Sequence, residues 1–393
     1  MRLKFEVTPV KSFLAKRLNM NRLTANRVSA KRLLVCAVAA MCWSAAAAYD
    51  FAGLDRELSR RYDADSPGAA VIIARGDSVL YERYVGVADM TTRRPVGPDT
   101  RFCIASCSKQ FTVAALLRAA EQSGQALMDS TVADFFDYPQ PFWQDISLRN
   151  LASHTSGVPD TRPRSDRNFT LFANEDQSIG YLPSVDTLKF GPGEYYDYLN
   201  PSFILLAKAV QKVTGQDFYD YVRRDVFGRA GMDSTYFFNP AAEGPGQSHA
   251  YRPDAGGRWR EYDYGEETFF ATRPDGGIYS TARDLLKWEN ALRDNAVISA
   301  ASRDMAYRPH VSVSASPFCD YQQRPDTWYG LGWFVDHPAG KPRKVYHTGD
   351  NGGYQAYLAK YPDQDIKIIV LENRHDHDRW QLATLIDRIL NLR

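Results

Sequence analysis

The sequence of 393 residues lacks the features that would set it apart from ordinary globular proteins. Its five cysteines are too few for a fold built on disulfides. No apolar run reaches the roughly 20 residues that a helix needs to cross a bilayer. No segment repeats with a period of about 20–50 residues, which argues against a solenoid. The charges nearly cancel, with 48 Lys and Arg against 47 Asp and Glu.

Several short functional motifs are also missing. The chain has no G-x-S-x-G nucleophile elbow, which argues against a lipase of the α/β-hydrolase type. It has no G-x-G-x-x-G or P-loop pattern, so we expect no nucleotide or other organic cofactor. Residues 375–378 (HDHD) have the side chains of a metal site, but no third histidine lies nearby in sequence. Their acids precede a predicted helix and complement its dipole, so we expect no metal.

The positive charge is concentrated at the N-terminus. Residues 1–32 hold nine of the 48 basic residues and one of the 47 acidic residues, and residues 33–48 hold no charge. The remaining chain therefore has 39 basic and 46 acidic residues, a net charge of −7. A body of that sign repels polyphosphate, so we expect no nucleic-acid partner.

Residues 33–48 (LLVCAVAAMCWSAAAA) follow basic residues and end in small ones, the pattern of a secretory signal. We expect cleavage after Ala48, a mature chain 49–393 that is periplasmic or secreted, and no stable membrane span after cleavage. A start at Met20 would leave a basic stretch of more usual length. The alternative is an uncleaved anchor formed by residues 33–48, although 16 residues are short for a span of about 20.

Strand and helix patterns occur at both ends of the mature chain. The patterns predict helices at 50–62, 106–124, 285–292 and 376–392, and strands at 69–74, 78–84, 329–335, 344–347, 354–361 and 366–371. Residues 125–270 are rich in Pro, Gly, Asp and aromatics, with helical patches at 201–213 and 218–226. This order predicts an α+β fold: a mostly antiparallel central sheet formed from both ends of the chain, flanked by helices, with 125–270 as a mainly helical insert.

The candidate chemistry begins with an S-x-x-K motif, Ser106 to Lys109. Residues three apart share one face of a helix, so the amine and the hydroxyl would be neighbours. A lysine shifted towards its neutral form can accept the serine proton and so activate the nucleophile. By itself the motif is weak evidence for catalysis, because a serine that caps a helix and a solvated lysine would show the same sequence pattern.

Two further motifs follow in order, Y-x-N at Tyr198 and Asn200 and H-T-G at residues 347–349. With these three motifs the chain resembles the serine β-lactamase and penicillin-binding-protein superfamily, in particular class C β-lactamases, DD-carboxypeptidases, D-aminopeptidases and related esterases. Three supporting segments strengthen the likeness: 151–160 (LASHTSGVPD), 190–200 (FGPGEYYDYLN) and 276–288 (GGIYSTARDLLKW). The resemblance spans roughly residues 66–375.

The resemblance implies a role for each motif residue. Ser106 would be acylated, Lys109 would take its proton, and Tyr198 would relay protons to the leaving group. The implied substrate-binding residues are Asn200, His347, Thr348 and Gly349. The implied oxyanion hole consists of the backbone N–H groups of Ser106 and Asp350. His154, within the first supporting segment, is expected to orient a loop.

The third motif departs from class C β-lactamases, which mostly carry lysine where this chain has His347. A histidine has an ordinary pKa near 6.5 and does not hold a fixed charge at pH 7. If protonated, His347 would bind a substrate carboxylate. Alternatively, it would only form hydrogen bonds within the wall of the cleft. We therefore expect an exported serine hydrolase acting through an acyl-serine on an amide, peptide or ester. The alternatives are a true class C β-lactamase and a non-catalytic penicillin-binding or sensor module. The oligomeric state is open.

Overall fold

The computed structural model describes residues 49–163, 165–239, 244–263, 272–319 and 326–392. The predicted signal segment and the last residues of the predicted insert, 264–270, lie outside this part of the chain. Within it, no helix combines the length and apolar character that a membrane span requires.

An antiparallel sheet of eight strands forms the centre of the molecule. Strands of the described chain are β1 (Ala69–Arg75), β2 (Ser78–Val85), β3 (Val87–Asp89), β4 (Arg94–Pro95), β5 (Phe102–Cys103), β6 (Tyr236–Phe237), β7 (Tyr251–Pro253), β8 (Trp259–Glu261), β9 (Ile278–Ser280), β10 (Val311–Ser312), β11 (Thr327–Tyr329), β12 (Phe334–Asp336), β13 (Lys344–Asn351), β14 (Tyr354–Tyr361) and β15 (Ile366–Glu372). The central sheet has the order β10-β11-β12-β13-β14-β15-β1-β2, so the N-terminal hairpin adds to strands from the C-terminus. The smaller sheets are β3-β4, β5-β9-β6 and β7-β8.

The described part of the chain contains twelve α-helices. They are α1 (Ala52–Arg61), α2 (Lys109–Ser123), α3 (Leu148–Ala152), α4 (Arg167–Phe172), α5 (Glu175–Ile179), α6 (Pro201–Thr214), α7 (Phe218–Val222), α8 (Gly228–Ala230), α9 (Arg273–Gly276), α10 (Ala282–Arg293), α11 (Ala300–Ala306) and α12 (Arg379–Ile389). Strands β14 and β15 are buried along their whole length, as expected for strands with both faces covered. On one face Leu358 and Ile369 join the main core with helices α2, α6 and α10. On the other, Tyr357 packs against Trp380 of α12.

Helix α2 is the element that positions the candidate nucleophile. It is buried over most of its length and packs along α6. It ends at Gly124, whose φ of 68° is the left-handed conformation that favours glycine after a helix. The helix is therefore fixed within the core, and its first residue, Lys109, is buried with it.

The predicted α+β class with an antiparallel sheet from both chain ends is confirmed. Two predicted elements are wrong in detail. The single strand expected at 329–335 is a hairpin of β11 and β12, because the chain reverses at Gly332, which has a φ of 82°. The sequence predicts one helix at 218–226, but α7 ends at Val222 and a π-helical turn, Arg223–Phe227, follows it.

Candidate active site

Ser106 lies in a short 3₁₀ turn, Ala105–Ser108, which we call the serine turn and which leads directly into α2. The neighbouring side chains Cys107 and Ser108 are fully buried, whereas Ser106 is partly exposed. Ala105 has a φ of 47°, a left-handed conformation that is strained for a residue with a Cβ. The buried neighbours of Ser106 thus hold the turn in the core, while Ser106 itself stays partly exposed.

Lys109 lies directly behind the serine. Its side chain is fully buried, and its Nζ lies 3.2 Å from Ser106 Oγ and donates a hydrogen bond of 2.7 Å to the carbonyl oxygen of Asp275. The ammonium also faces the rings of Tyr198 and Phe203, at 4.8 and 5.3 Å from their centroids. Burial lowers the pKa of Lys109 from its usual 10.5 to about 8. An amine with that pKa can accept a proton near neutral pH.

Two charged side chains near Lys109 shift its pKa in opposite directions. The Asp275 carboxylate partly offsets the effect of burial and favours the ammonium form, whereas the positive charge of Arg162 disfavours it. Arg162 is itself buried and paired with Asp160 at 2.7 Å. The pKa of the Asp275 carboxyl is raised by burial. Neither residue was identified from the sequence, because both lie outside the three motifs and approach Lys109 only in the fold.

Tyr198 is positioned by His154. The Nδ1 of His154 accepts a hydrogen bond of 3.0 Å from the backbone N–H of Leu199, and its ring centroid lies 4.2 Å from that of Tyr198. Burial and the positive charge of Lys109 hold the pKa of His154 well below its usual value, so the ring is neutral. This contact fits the loop-orienting role expected for His154. Asn200, two residues further on, lies at the start of α6 with Oδ1 buried.

Strand β13 forms the opposite wall. It pairs with β12 only over Lys344–Tyr346, so from His347 onward this edge of β13 faces the serine turn. The Sγ of Cys107 lies 3.5 Å from the carbonyl oxygen of His347. A Cβ on Gly349 would collide with the carbonyl oxygen of Ile104, so only glycine permits this close approach of the two backbones.

His347 is held at both ring nitrogens. Its Nδ1 lies 2.6 Å from the carbonyl oxygen of Thr348, and its Nε2 lies 3.0 Å from the hydroxyl of Tyr329. A carbonyl can only accept, so Nδ1 carries the proton and Nε2 accepts from Tyr329. Burial, together with the positive charge of Lys109, lowers the pKa of His347 to about 3. Of the two roles expected for this residue, the contacts favour hydrogen bonding within the wall.

These elements enclose a cleft of about 180 Å³. Its lining consists of Ser106, Tyr198, Phe334, His347, Thr348 and Asp350. Five of the eight residues identified from the sequence are in this lining, and Lys109 is bonded to one of them. Gly349 is buried between two lining residues, and Asn200 lies outside the lining. Two further residues were not predicted from the sequence: Phe334, which the hairpin of β11 and β12 brings to the cleft, and Tyr329, which bonds to His347.

Within residues 375–378, His377 and Asp376 form an ion pair, and Asp378 caps the start of α12. Burial lowers the pKa of His377, but its contacts with Asp376 at 2.9 Å and Glu372 at 2.8 Å outweigh this effect and raise the pKa to about 9. A different trio, His249, Glu261 and Asp263, brings three ligand-type atoms within 4.8 Å of one another. His249 Nδ1 and Asp263 Oδ2 lie 2.7 Å apart, within hydrogen-bond distance of each other.

Comparison with known proteins gives a consistent set of matches. The profile of the family described as Beta-lactamase matches residues 54–390. A penicillin-binding protein of Bacillus subtilis (strain 168) is 28% identical over 327 residues, covering 80% of this chain and 70% of the relative. A D-aminopeptidase of Brucella ovis is 27% identical over 321 residues, covering 78% of this chain and 56% of the relative. The chain therefore spans just over half the length of that D-aminopeptidase.

A solved structure shares the fold. The penicillin-binding protein from Bacillus halodurans superposes with a TM-score of 0.72 and 26% identity, covering 85% of this chain and 98% of the other. The eight-stranded sheet and its helices are therefore a known arrangement, and the serine turn, α6 and β13 meet within it.

Proposed function

Because this chain belongs to the beta-lactamase family, we propose that it is an exported serine hydrolase that forms an acyl-serine intermediate on an amide, peptide or ester. The relatives support a hydrolase or acyltransferase. The observation that carries the proposal is the distance of 3.2 Å between Lys109 Nζ and Ser106 Oγ, with the amine buried and its pKa lowered to about 8. A buried amine beside a partly exposed hydroxyl is the arrangement that activates a serine nucleophile.

In the proposed first step, Ser106 Oγ attacks the substrate carbonyl carbon as Lys109 Nζ takes the hydroxyl proton. The carbonyl oxygen becomes an oxyanion, which the backbone N–H groups of Ser106 and Asp350 stabilise. Each such donor contributes about 3 kcal/mol of transition-state stabilisation. Tyr198 then passes its hydroxyl proton to the leaving group and takes from Lys109 Nζ the proton that came from Ser106, and the bond between the carbonyl carbon and the leaving group breaks to leave the acyl-enzyme. Water attacks the acyl carbon, the ester bond to Ser106 Oγ breaks, the acid product departs, and a proton from the water restores the Ser106 hydroxyl.

The remaining motif residues bind the substrate in this proposal. Asn200 holds the substrate amide, and Thr348 and His347 form the wall along which the acyl chain lies. Gly349 permits β13 to approach the serine turn, which keeps the two proposed oxyanion donors on one side of the cleft. His154 is a positioning residue, since it bonds the backbone between Tyr198 and Asn200.

Four substrates measured in parallel test the proposed function: a p-nitrophenyl ester, D-alanine p-nitroanilide, a D-alanyl-D-alanine peptide and a chromogenic cephalosporin. We expect steady turnover of the ester or the anilide and slow turnover of the cephalosporin. Fast cephalosporin hydrolysis would instead identify a true class C β-lactamase. Stoichiometric acylation without turnover would identify a penicillin-binding or sensor module. No reaction with any of the four would contradict the proposal.

Export is tested separately, on native material. We expect the mature N-terminus at Tyr49, because small residues precede it at the positions that signal peptidase reads. N-terminal sequencing of the protein from periplasmic and culture-supernatant fractions measures this directly. An intact N-terminus at Met1 or Met20, recovered with the membranes, would favour the anchor formed by residues 33–48.

A further inference from the structure

Helix α9 carries the backbone oxygen that accepts a hydrogen bond from Lys109. We propose that Glu175, which lies outside the lining of the cleft, is a positioning residue for the reaction. By binding Arg273 it holds α9 in place, and α9 in turn holds Lys109 Nζ within reach of Ser106 Oγ. This inference rests on the proposed serine hydrolase function and extends it to residues outside the three motifs.

Helix α9 is bonded to α2 at two successive carbonyl groups. The carbonyl oxygen of Asp275 accepts from Lys109 Nζ at 2.7 Å. That of Pro274 accepts from the hydroxyl of Thr112 at 2.6 Å. All four residues are buried, so water does not compete for these bonds. Strand β9, which follows α9, pairs with β5, which precedes the serine turn. A displacement of α9 would therefore move the acceptor of the base relative to the nucleophile.

The four residues of α9 cannot fix its position by themselves, because a single turn of helix has little stability of its own. Its first residue, Arg273, is held by Glu175 of α5. Glu175 Oε1 accepts from the backbone N–H of Arg273 at 3.3 Å and from its Nε at 3.1 Å, and it also accepts from the hydroxyl of Tyr219 in α7. The Arg273 guanidinium lies 3.8 Å from the centroid of the Tyr219 ring. The Glu175 carboxylate thus caps the start of α9 and anchors it to α5 and α7.

The contacts indicate that Glu175 acts on Lys109 by position and not by charge. Among the described residues, the charged and titratable groups that face Lys109 are Asp275, Cys107, Arg162, His154, His347 and Tyr198. Burial would raise the pKa of Glu175, but the hydrogen bonds from its two partners outweigh burial and hold the pKa below its ordinary value, so Glu175 stays ionised near neutral pH. The carbonyl and the carboxylate of Asp275 both favour the ammonium form of Lys109. Moving α9 away should therefore make the amine lose its proton more easily while it loses its alignment with the nucleophile.

Replacing Glu175 with alanine removes the anchor of α9. We expect the plateau of kcat/KM for p-nitrophenyl acetate at high pH to fall about tenfold, because a small displacement of a catalytic group has an effect of this size or larger. In the same variant kcat/KM should level off above about pH 7 instead of about pH 8. The rate at which a fluorophosphonate probe labels Ser106 should show the same two changes. Both rates are measured from pH 5.5 to 9.5.

Three further variants identify the cause. Glu175→Gln keeps an acceptor oxygen without the charge, and it should restore most of the rate and the inflection near pH 8. Arg273→Met breaks the same contact from the other side but keeps an apolar chain over Tyr219, and it should lower both the rate and the inflection. Asp176→Ala is the matched control, since this neighbour in α5 pairs with Lys208 at 2.5 Å and should change neither. Urea unfolding checks that each variant is folded.

The outcomes separate this inference from the proposed function. A natural rate in Glu175→Ala overturns the inference, and so does a lower rate with an unchanged inflection, which would be a general structural loss. An inflection in Glu175→Gln as low as that in Glu175→Ala would assign the effect to charge and would also overturn it. If Glu175→Ala does not fold, Arg273→Met decides by the same two criteria. A natural protein in which the probe does not label Ser106 rejects the serine hydrolase function, and this inference with it.

Discussion

Replacing Ser106 with alanine is expected to lower kcat/KM by at least about a thousandfold, because the reaction would lose the atom that attacks the carbonyl carbon. The fold should be nearly unaffected. Ser106 is partly exposed, and its hydroxyl oxygen accepts a hydrogen bond from Lys109 Nζ. We therefore expect the free energy of unfolding to change by no more than about 1 kcal/mol.

Two measurements together test this result. Steady-state hydrolysis of the p-nitrophenyl ester gives the loss of activity, and a fluorophosphonate probe followed by peptide mass spectrometry locates the labelled residue. Ser123→Ala is a suitable control, because Ser123 is an exposed serine at the far end of α2, the helix that follows the serine turn. The control should keep its activity and its label. Full activity in Ser106→Ala, or a label on another residue, would exclude Ser106 as the nucleophile.

The parts of the site that sequence could predict are those that depend on local spacing. Ser106 and Lys109 are three residues apart, so a turn of helix brings them together whatever surrounds them. The hairpin of β1 and β2 could be predicted in the same way, because its two β-rich segments flank a short turn at Gly76. The order of the helix and strand patterns at the two ends of the chain was likewise enough to predict the fold class.

The parts that sequence could not predict depend on contacts between distant segments. The carbonyl oxygen of Asp275 accepts a hydrogen bond from Lys109, which is 166 residues away in the sequence. No sequence pattern around Asp275 predicts this contact. Phe334 reaches the cleft, and Tyr329 reaches His347, because the chain reverses at Gly332, where the sequence pattern predicts an unbroken strand. Burial and the positive charge of Lys109 lower the pKa of His347, so the ordinary pKa of histidine does not describe this residue.

Burial of Lys109 also predicts opposite effects on activity and stability. In Lys109→Met the serine loses its base, so kcat/KM should fall by about a thousandfold or more, close to the loss in Ser106→Ala, since the two residues act as a unit. In the natural protein kcat/KM for a neutral ester should rise with pH and level off above about pH 8, because the neutral amine is the active form. The methionine variant should lack this rise.

The same substitution should stabilise the folded protein at neutral pH. Lys109 titrates near 10.5 when unfolded and near 8 when folded, so below pH 8 folding must bury a charged group at a cost of about 3 kcal/mol. That cost decreases between pH 8 and 10.5 and is absent above this range. Methionine avoids it but leaves the Asp275 carbonyl without its donor, at about 1 kcal/mol. The net gain is about 2 kcal/mol at pH 6.5.

Urea unfolding of the natural protein and Lys109→Met at pH 6.5 and pH 9.5 measures this gain and its pH dependence. We expect the variant to be the more stable protein at pH 6.5 and the difference to shrink or reverse at pH 9.5. Lys287→Met serves as the control, since that lysine is about half exposed and should show no comparable change between the two pH values. A Lys109→Met protein that is less stable at pH 6.5, or a difference independent of pH, would mean that the ammonium is not disfavoured at this site. The serine would then need another base, even if Ser106 itself is labelled.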